Sequence, residues 1–399
     1  MLIGIVGKPS CGKSTFFKAL TLAEVAIASY PFTTIKPNRG VGYVRVECAD
    51  RFFSVQCNPR EGYCLGGERF VPVELLDVAG LVPGAHEGKG LGNQFLDDLR
   101  QAHVLIHIID VSGSTNENGE PVPAGSHDPA KDVKFLENEL DLWYLSILKK
   151  PWEKFSRQAF VEKKRVNIAI AKQFSGLNAT EPMVAGIIDA LKLDAENATK
   201  WTEAELQGFA TELRRRTKPM IIAANKVDVS SGRENFERLR QMFPGYTIIP
   251  CSAESELALK EAAKKGLIEY ASGNSGFSIK DESKLSQQQL GALRFIKENV
   301  LDKYKSTGVQ ETLNKAVFDI LKYIAVFPGG LNKLSDQYGR ILPDCFLLPP
   351  NSTAVEFAFK IHSDIGSSFI RAIDVKKRLT VGREHFLSSG DVIEIISGK

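Results

Sequence analysis

The 399-residue sequence predicts an α/β fold: a wound, mostly parallel sheet, interrupted by an all-helical insert and followed by a small α+β module. Three observations carry this. Six short apolar runs (2–6, 41–46, 70–76, 104–110, 219–224 and 247–250) read as strands. Those at 2–6, 104–110 and 219–224 are nearly continuous, as in strands buried on both faces. Helical patterns alternate with most of the runs. Finally, 108 residues separate Asp110 from Pro219, whereas a strand-to-strand crossover needs one helix of roughly a dozen residues.

The elements follow in order. The opening run reaches Gly7 without a basic residue before it, so it reads as a buried strand and not a signal peptide. The polar stretch from Glu47 to Arg69 is expected to be a loop joining an antiparallel pair. In the long gap, Val133, Leu136, Leu140, Trp143 and Ile147 recur at spacings of three and four, a helical seam. Val184, Ile187, Ile188 and Leu191 form a second face. Leu206, Phe209 and Leu213 form a third, behind a Thr202-x-x-Glu205 capping box. Residues 128–216 are therefore read as a helical, coiled-coil-like insert between two parts of the sheet domain, 1–127 and 217–325. Helical patterns follow near 286–305 and 309–325, and Phe327-Pro328-Gly329-Gly330 punctuates the chain. The module 326–399 is expected to hold a strand at Arg340-Ile341-Leu342, a helix behind Thr353-x-x-Glu356, and a closing strand from Asp391 to Ile396.

Composition narrows the function classes. Charged residues are 25% and apolar residues 43%, ordinary for a globular protein and wrong for a collagen-like, disordered or disulfide-scaffold chain. Lys plus Arg (51) nearly balances Asp plus Glu (48), which argues against a polybasic nucleic-acid packer; no DNA partner is expected. No apolar run reaches the roughly 18 residues of a membrane span. Six cysteines are too few for a staple framework and fit a reducing cytoplasm.

Chemistry concentrates at predicted strand ends. Gly7-Lys8-Pro9-Ser10-Cys11-Gly12-Lys13-Ser14, followed by Thr15, matches G-x-x-x-x-G-K-[ST] between a strand and a helix start. Glycines let the backbone wrap closely, so that its N–H groups and the helix N-terminus face phosphates. Lys13 is expected on the β- and γ-phosphates and Ser14 on Mg²⁺. Asp77-Val78-Ala79-Gly80 ends the third strand: Asp77 can hold Mg²⁺ through water, and the Gly80 N–H can sense the γ-phosphate. Asn225-Lys226-Val227-Asp228 ends the fifth strand, and the Asp228 carboxylate can accept from guanine N1–H and the 2-amino group, donors adenine lacks. Cys251-Ser252-Ala253 ends the sixth, where the N–H groups of Ser252 and Ala253 can meet the guanine O6. Ligands of open α/β sheets bind at strand C-termini.

These motifs, in this order, resemble the Obg-like GTPases, specifically the YchF/Ola subfamily. Tyr30-Pro31-Phe32-Thr33-Thr34-Ile35-Lys36-Pro37-Asn38 resembles the family's switch I, and the segment from Val82 to Asn93 its switch II. Leu342–Pro350 and Gly390–Ile395 resemble a TGS domain. The resemblance covers nearly the whole chain. It implies a P-loop NTPase domain of the translation-factor class with a helical insert and a C-terminal β-grasp (TGS) domain, and a Mg²⁺-dependent, ribosome-associated GTP switch in the cytoplasm. It also implies that Thr34 is a Mg²⁺ ligand. Leu81 stands where Ras-like enzymes position water with glutamine, so intrinsic hydrolysis is expected to be slow; His86, Glu87 and Lys89 are candidate helpers, the weightier reading of each being an exposed switch residue. Many family members carry Glu at the Asp228 position and prefer ATP; the Asp here points to GTP. Ser10 replaces the Asn through which related enzymes hold K⁺, which weighs against K⁺ dependence. The alternatives are an ATPase of the same fold, or an RNA- or ribosome-binding scaffold holding a structural nucleotide.

Two further features are weaker. Cys48, Cys57 and Cys64 have spacings that fit no common zinc knuckle and show no fourth ligand, so free or packed thiols are expected over a metal site. Lys149, Lys150, Lys154, Arg157, Lys163, Lys164, Arg165 and Lys172, opposed by Glu153 and Glu162, are interleaved with Trp152, Phe155 and Phe160. With Arg214-Arg215-Arg216, Lys218 and Lys376-Lys377-Arg378 they form a candidate RNA surface on the insert and TGS module. The other reading is a solvated helix face over core aromatics.

Overall fold

The computed structural model describes residues 1–22, 38–78, 98–162 and 165–398. Its strands are β1 (Leu2–Val6), β2 (Arg39–Glu47), β3 (Tyr63–Leu65), β4 (Glu68–Asp77), β5 (Val104–Asp110), β6 (Met220–Asn225), β7 (Ile248–Cys251), β8 (Ile268–Glu269), β9 (Ser278–Ile279), β10 (Ile324–Pro328), β11 (Phe346–Leu348), β12 (Phe369–Asp374), β13 (Leu379–Val381) and β14 (Val392–Ser397). The six expected strands are all present, displaced by two residues at most. The described chain forms two compact units, Met1–Phe17 with Leu75–Ala253 and Lys18–Glu74 with Glu254–Lys399.

In the first unit β1, β5, β6 and β7 run parallel in that order. Every residue of β1, β5 and β6 is buried, which explains their nearly unbroken apolar character. Helices Pro129–Val161, Val166–Gln173, Glu181–Ala190 and Glu203–Thr217 lie between β5 and β6. Their ends follow local chemistry. Asp128 caps the first, with Pro129 at the position where a missing N–H costs nothing. Thr180 caps Glu181–Ala190, and Thr202 with Glu205 completes the expected capping box. Leu136, Leu140, Trp143, Leu206, Phe209 and Leu213 join Leu2, Val6 and Leu105 in one core, so the helices extend the apolar interior of the sheet. Trp152 packs on Trp201 at 5.1 Å between ring centroids. Leu191, read as part of an apolar face, is exposed: it lies just past the last turn of its helix.

In the second unit the stretch 47–69 is more than a loop. It contains a short helix, Asp50–Phe53, and β3, which pairs antiparallel with β4 in the register Tyr63↔Phe70. A three-residue strand and a four-residue helix are too short to show periodicity. Tyr63 stacks on Phe70 at 4.5 Å and tilts against Tyr43 at 5.3 Å, which fixes that register by cross-strand packing. Five strands in the order β11-β10-β14-β12-β13 form the C-terminal sheet. Helix Ala354–Ile361, capped by Thr353 and Glu356, buries Phe357 and Ala358 against it.

Three expectations are corrected here. Phe327 and Pro328 do not punctuate the chain. They end β10, whose residues pair with β11 on one side and β14 on the other. The helical pattern stops short of 325, at Ile320. Arg340-Ile341-Leu342 is not a strand: Ile341 makes one isolated bridge to Ser335, and Leu342 has φ 42°, outside extended geometry. Among the described residues no helix is long and apolar enough to cross a membrane.

Candidate nucleotide-binding site

The site in the first unit is built on register. His107 faces Val6, Asp110 faces Asn225, and Asn225 faces Cys251, so the C-terminal ends of four parallel strands form one edge. Gly7–Gly12 leaves β1 at that edge and helix Lys13–Thr21 begins at Lys13. Ser10 (φ 59°) and Gly12 (φ 94°) take left-handed backbone, which turns the loop around the space beyond the helix N-terminus. Glycine is required at 12, because a Cβ there would lie 2.2 Å from Asn225 Nδ2.

Asn225 is the joint of the site. Its Nδ2 donates to Cys11 O at 2.9 Å, and its Oδ1 accepts from Ala253 N at 3.0 Å. One buried amide thereby ties the phosphate loop to the turn after β7, where Ser252 and Ala253 are also buried. Lys226 (φ 65°) donates from Nζ to Ser10 O at 3.1 Å and Asp110 Oδ2 at 2.9 Å. Asp228 follows at the rim, half-buried. Lys13 Nζ lies 2.5 Å from Asp77 Oδ1, which brings the loop lysine to the carboxylate ending β4. Ser14 is exposed, and Thr15 is half-buried.

Other predicted residues have different placements. The Lys8 side chain points inward, donating to Thr115 O at 2.8 Å and pairing with Asp132 at 2.9 Å, so only its backbone remains for a phosphate. Cys11 is fully buried, and burial pushes its thiol up to about 12, so it stays protonated. Pro9 is exposed, and its carbonyl would lie 2.6 Å from a Cβ on Gly119 (φ 80°), so a second glycine lets the segment after β5 approach the loop. Thr34, Gly80, Leu81, His86, Glu87 and Lys89 lie outside the described residues.

Sequence reasoning missed Asp110. It is fully buried and accepts from Ser112 N (3.0 Å), Ser114 Oγ (3.0 Å), Thr115 Oγ1 (2.8 Å) and Lys226 Nζ, with a further hydrogen bond from Ser112 Oγ. Burial opposes its charge, but the Ser112 hydroxyl and the Lys226 ammonium hold it below the usual carboxylate range. The available signal was an aspartate ending an otherwise apolar strand. Asp132, which receives Lys8 and lies 2.8 Å from His127 Nε2, gave no such signal.

The candidate RNA surface is smaller than the charge count suggested. Arg214 is buried, 2.7 Å from Asp141, and Lys218 is buried with Nζ donating to Arg100 O at 3.0 Å. Trp152 and Phe155 belong to the core, whereas Phe160 is exposed. Lys150, Lys154, Arg157, Arg165 and Lys172 are exposed; Lys163 and Lys164 lie outside the described residues. On the C-terminal module Lys377 pairs with Asp374 at 2.7 Å.

Comparison with known proteins points to the same fold. Residues 2–139 match the family model described as 50S ribosome-binding GTPase. Residues 223–329 match the G4 motif-containing domain of the YGR210-like Obg-like GTPases, and 337–397 match the TGS domain. An uncharacterized GTP-binding protein of Methanocaldococcus jannaschii is 49% identical over 99% of each chain. The crystal structure of a GTP binding protein from Pyrococcus horikoshii OT3 superposes with a TM-score of 0.78 at 39% identity, covering 100% of both chains. The ribosome-binding ATPase YchF of Buchnera aphidicola is 26% identical over 98% of each chain. The 49% identity over nearly the whole chain, with the YGR210-like and TGS matches, places the chain in the Obg-like GTPase family, alongside the YchF proteins.

Proposed function

We propose that the protein is a Mg²⁺-dependent GTPase that converts GTP and water to GDP and phosphate and acts in the cytoplasm as a ribosome-associated switch. The observation that carries this reading is Asn225 joining Cys11 O to Ala253 N, with Asp228 three residues on. A base held near Ser252 and Ala253 would meet the Asp228 carboxylate, which accepts from guanine N1–H and the 2-amino group. The loop N–H groups and the Lys13 ammonium balance the phosphate charge. Ser14 and Asp77, with Thr34, would hold Mg²⁺. The fit is chemical: a hydroxyl and a carboxylate are the hard oxygen donors this ion takes. When bound, the ion supplies charge neutralisation on the β- and γ-phosphates.

The YchF relative's name favours a second reading, ATP hydrolysis. Competition decides between them. GTP should displace a bound fluorescent GDP analogue at about 100-fold lower concentration than ATP, since each hydrogen bond to a charged acceptor contributes about 1.5–3 kcal/mol. Asp228→Asn should erase that preference and favour xanthine nucleotides. Equal displacement by ATP sinks the GTP reading. Turnover is tested separately, in single-turnover assays with and without ribosomes. Slow hydrolysis is expected from the isolated protein. Nucleotide held unhydrolysed under both conditions would leave a scaffold, not an enzyme.

A further inference from the structure

The cysteines between β2 and β4 have a fourth companion that spacing could not show. Cys48 directly follows β2, Asp50 opens the short helix after it, Cys57 lies in the next loop and Cys64 in β3. One ligand atom from each of the four residues lies within 4.8 Å of all the others. Cys48 Sγ is 3.6 Å from Cys57 Sγ, and Cys64 Sγ is 3.6 Å from Asp50 Oδ2. A tetrahedral zinc with Zn–S of about 2.3 Å and Zn–O of about 2.1 Å sets its sulfurs roughly 3.8 Å apart and a sulfur and an oxygen roughly 3.6 Å apart.

A second observation is independent of the sulfurs. Asp50 is only 3% exposed, and its Oδ1 has no hydrogen-bond partner. A buried carboxylate oxygen without a donor is costly unless a cation satisfies it. Arg69 is fully buried and stands opposite Cys64 in the β3–β4 pairing. Its guanidinium would offset part of the negative charge of a three-thiolate, one-carboxylate complex.

We propose that Cys48, Asp50, Cys57 and Cys64 form a structural zinc site. Closed sites of four protein ligands are structural, because no position stays open for a substrate. The loop that the metal would close is strapped to the C-terminal module. Asn58 N donates to Ile341 O at 2.8 Å, Arg60 N to Pro343 O at 2.9 Å, and Arg69 Nη2 to Leu342 O at 2.6 Å. The zinc would hold this three-point attachment in place. Cys345 packs in the same apolar cluster but stands outside the ligand set; burial raises its thiol to about 12.

The test uses the full chain purified under reducing conditions. Mass-spectrometric metal analysis should find about one zinc per chain, released by a chelator with a fall in Tm. Cobalt added to the metal-stripped protein should give a thiolate-to-cobalt charge-transfer band and tetrahedral ligand-field bands. Cys57→Ser should weaken the charge-transfer band. Asp50→Asn, of nearly unchanged size, should lower zinc affinity by about 10–100-fold while near-ultraviolet dichroism reports an intact fold. Trace zinc together with no cobalt charge transfer in folded, reduced protein overturns the proposal. A persistent Cys48–Cys57 disulfide or an iron–sulfur chromophore overturns it too.

Discussion

Asp110 shows how much a single buried carboxylate can organise. It anchors the turn through Ser112, Ser114 and Thr115 and, through Lys226, the residue that also reaches Ser10 O. Removing its charge leaves the Lys226 ammonium beside an amide, at a cost of about 3 kcal/mol at neutral pH. Asp110→Asn should therefore lower unfolding stability by about that much, measured by urea titration. The sign with pH is set by the depressed folded-state pKa: the contribution is complete above the unfolded value of 3.8 and fades as pH falls through the lower folded value. The gap between wild type and variant should close below about pH 4. A gap that stays constant from pH 7 to pH 3 would refute the charge-based account. The partners within five residues were close enough to suspect from sequence, but Lys226 is 116 residues away and reaches Asp110 only through strand register.

Elements with local rules were the readable ones. The Thr202–Glu205 and Thr353–Glu356 boxes form as expected, because a capping box is a four-residue device that needs no tertiary partner. In helix Glu203–Thr217, Thr202 Oγ1 accepts from Glu205 N at 3.3 Å while Glu205 Oε2 accepts from Thr202 N at 2.7 Å. Thr202→Ala should cost about 1 kcal/mol in thermal or urea unfolding, and Thr202→Asn should recover most of it. Loss of stability that Asn does not recover would show the threonine working through packing instead. Elements defined by distant pairing were misread. β10 looked like the tail of a helical pattern followed by a Pro-Gly break, and it is a strand only because β11 and β14 flank it.

At the scale of the whole molecule, the near-neutral net charge conceals an uneven distribution. Lys150, Lys154 and Arg157 fall at helical spacings on helix Pro129–Val161 and are all exposed, whereas Arg214 and Lys218 are buried in the interior. If the exposed face carries the proposed ribosome association, reversing Lys150, Lys154 and Arg157 to Glu should reduce co-sedimentation with ribosomes at low salt several-fold and flatten its salt dependence. Reversal of Arg215 and Arg216, exposed on the neighbouring helix, changes the charge by four units against six and serves as the comparison within the candidate surface. Equal loss from both triple and double reversals would point to bulk charge, not to this face.

The sequence by itself determined the phosphate loop, the Asn-Lys-x-Asp segment Asn225–Asp228, six strands and the helical gap. Each rests on a local pattern: a glycine-spaced turn, an apolar run, or a three-and-four periodicity. Tertiary structure decided which charges are surface and which are interior, because burial belongs to the packed chain and not to composition. It made Asn225 the joint between two loops and Asp110 the anchor beneath them, through strand register. It also gave three unmatched cysteines their carboxylate. Asp50 is two residues from Cys48 in the chain, but only the short helix it opens and the β3–β4 pairing bring its oxygen to Cys57 and Cys64. Ligand geometry is a property of folded distance, and spacing along the chain does not encode it.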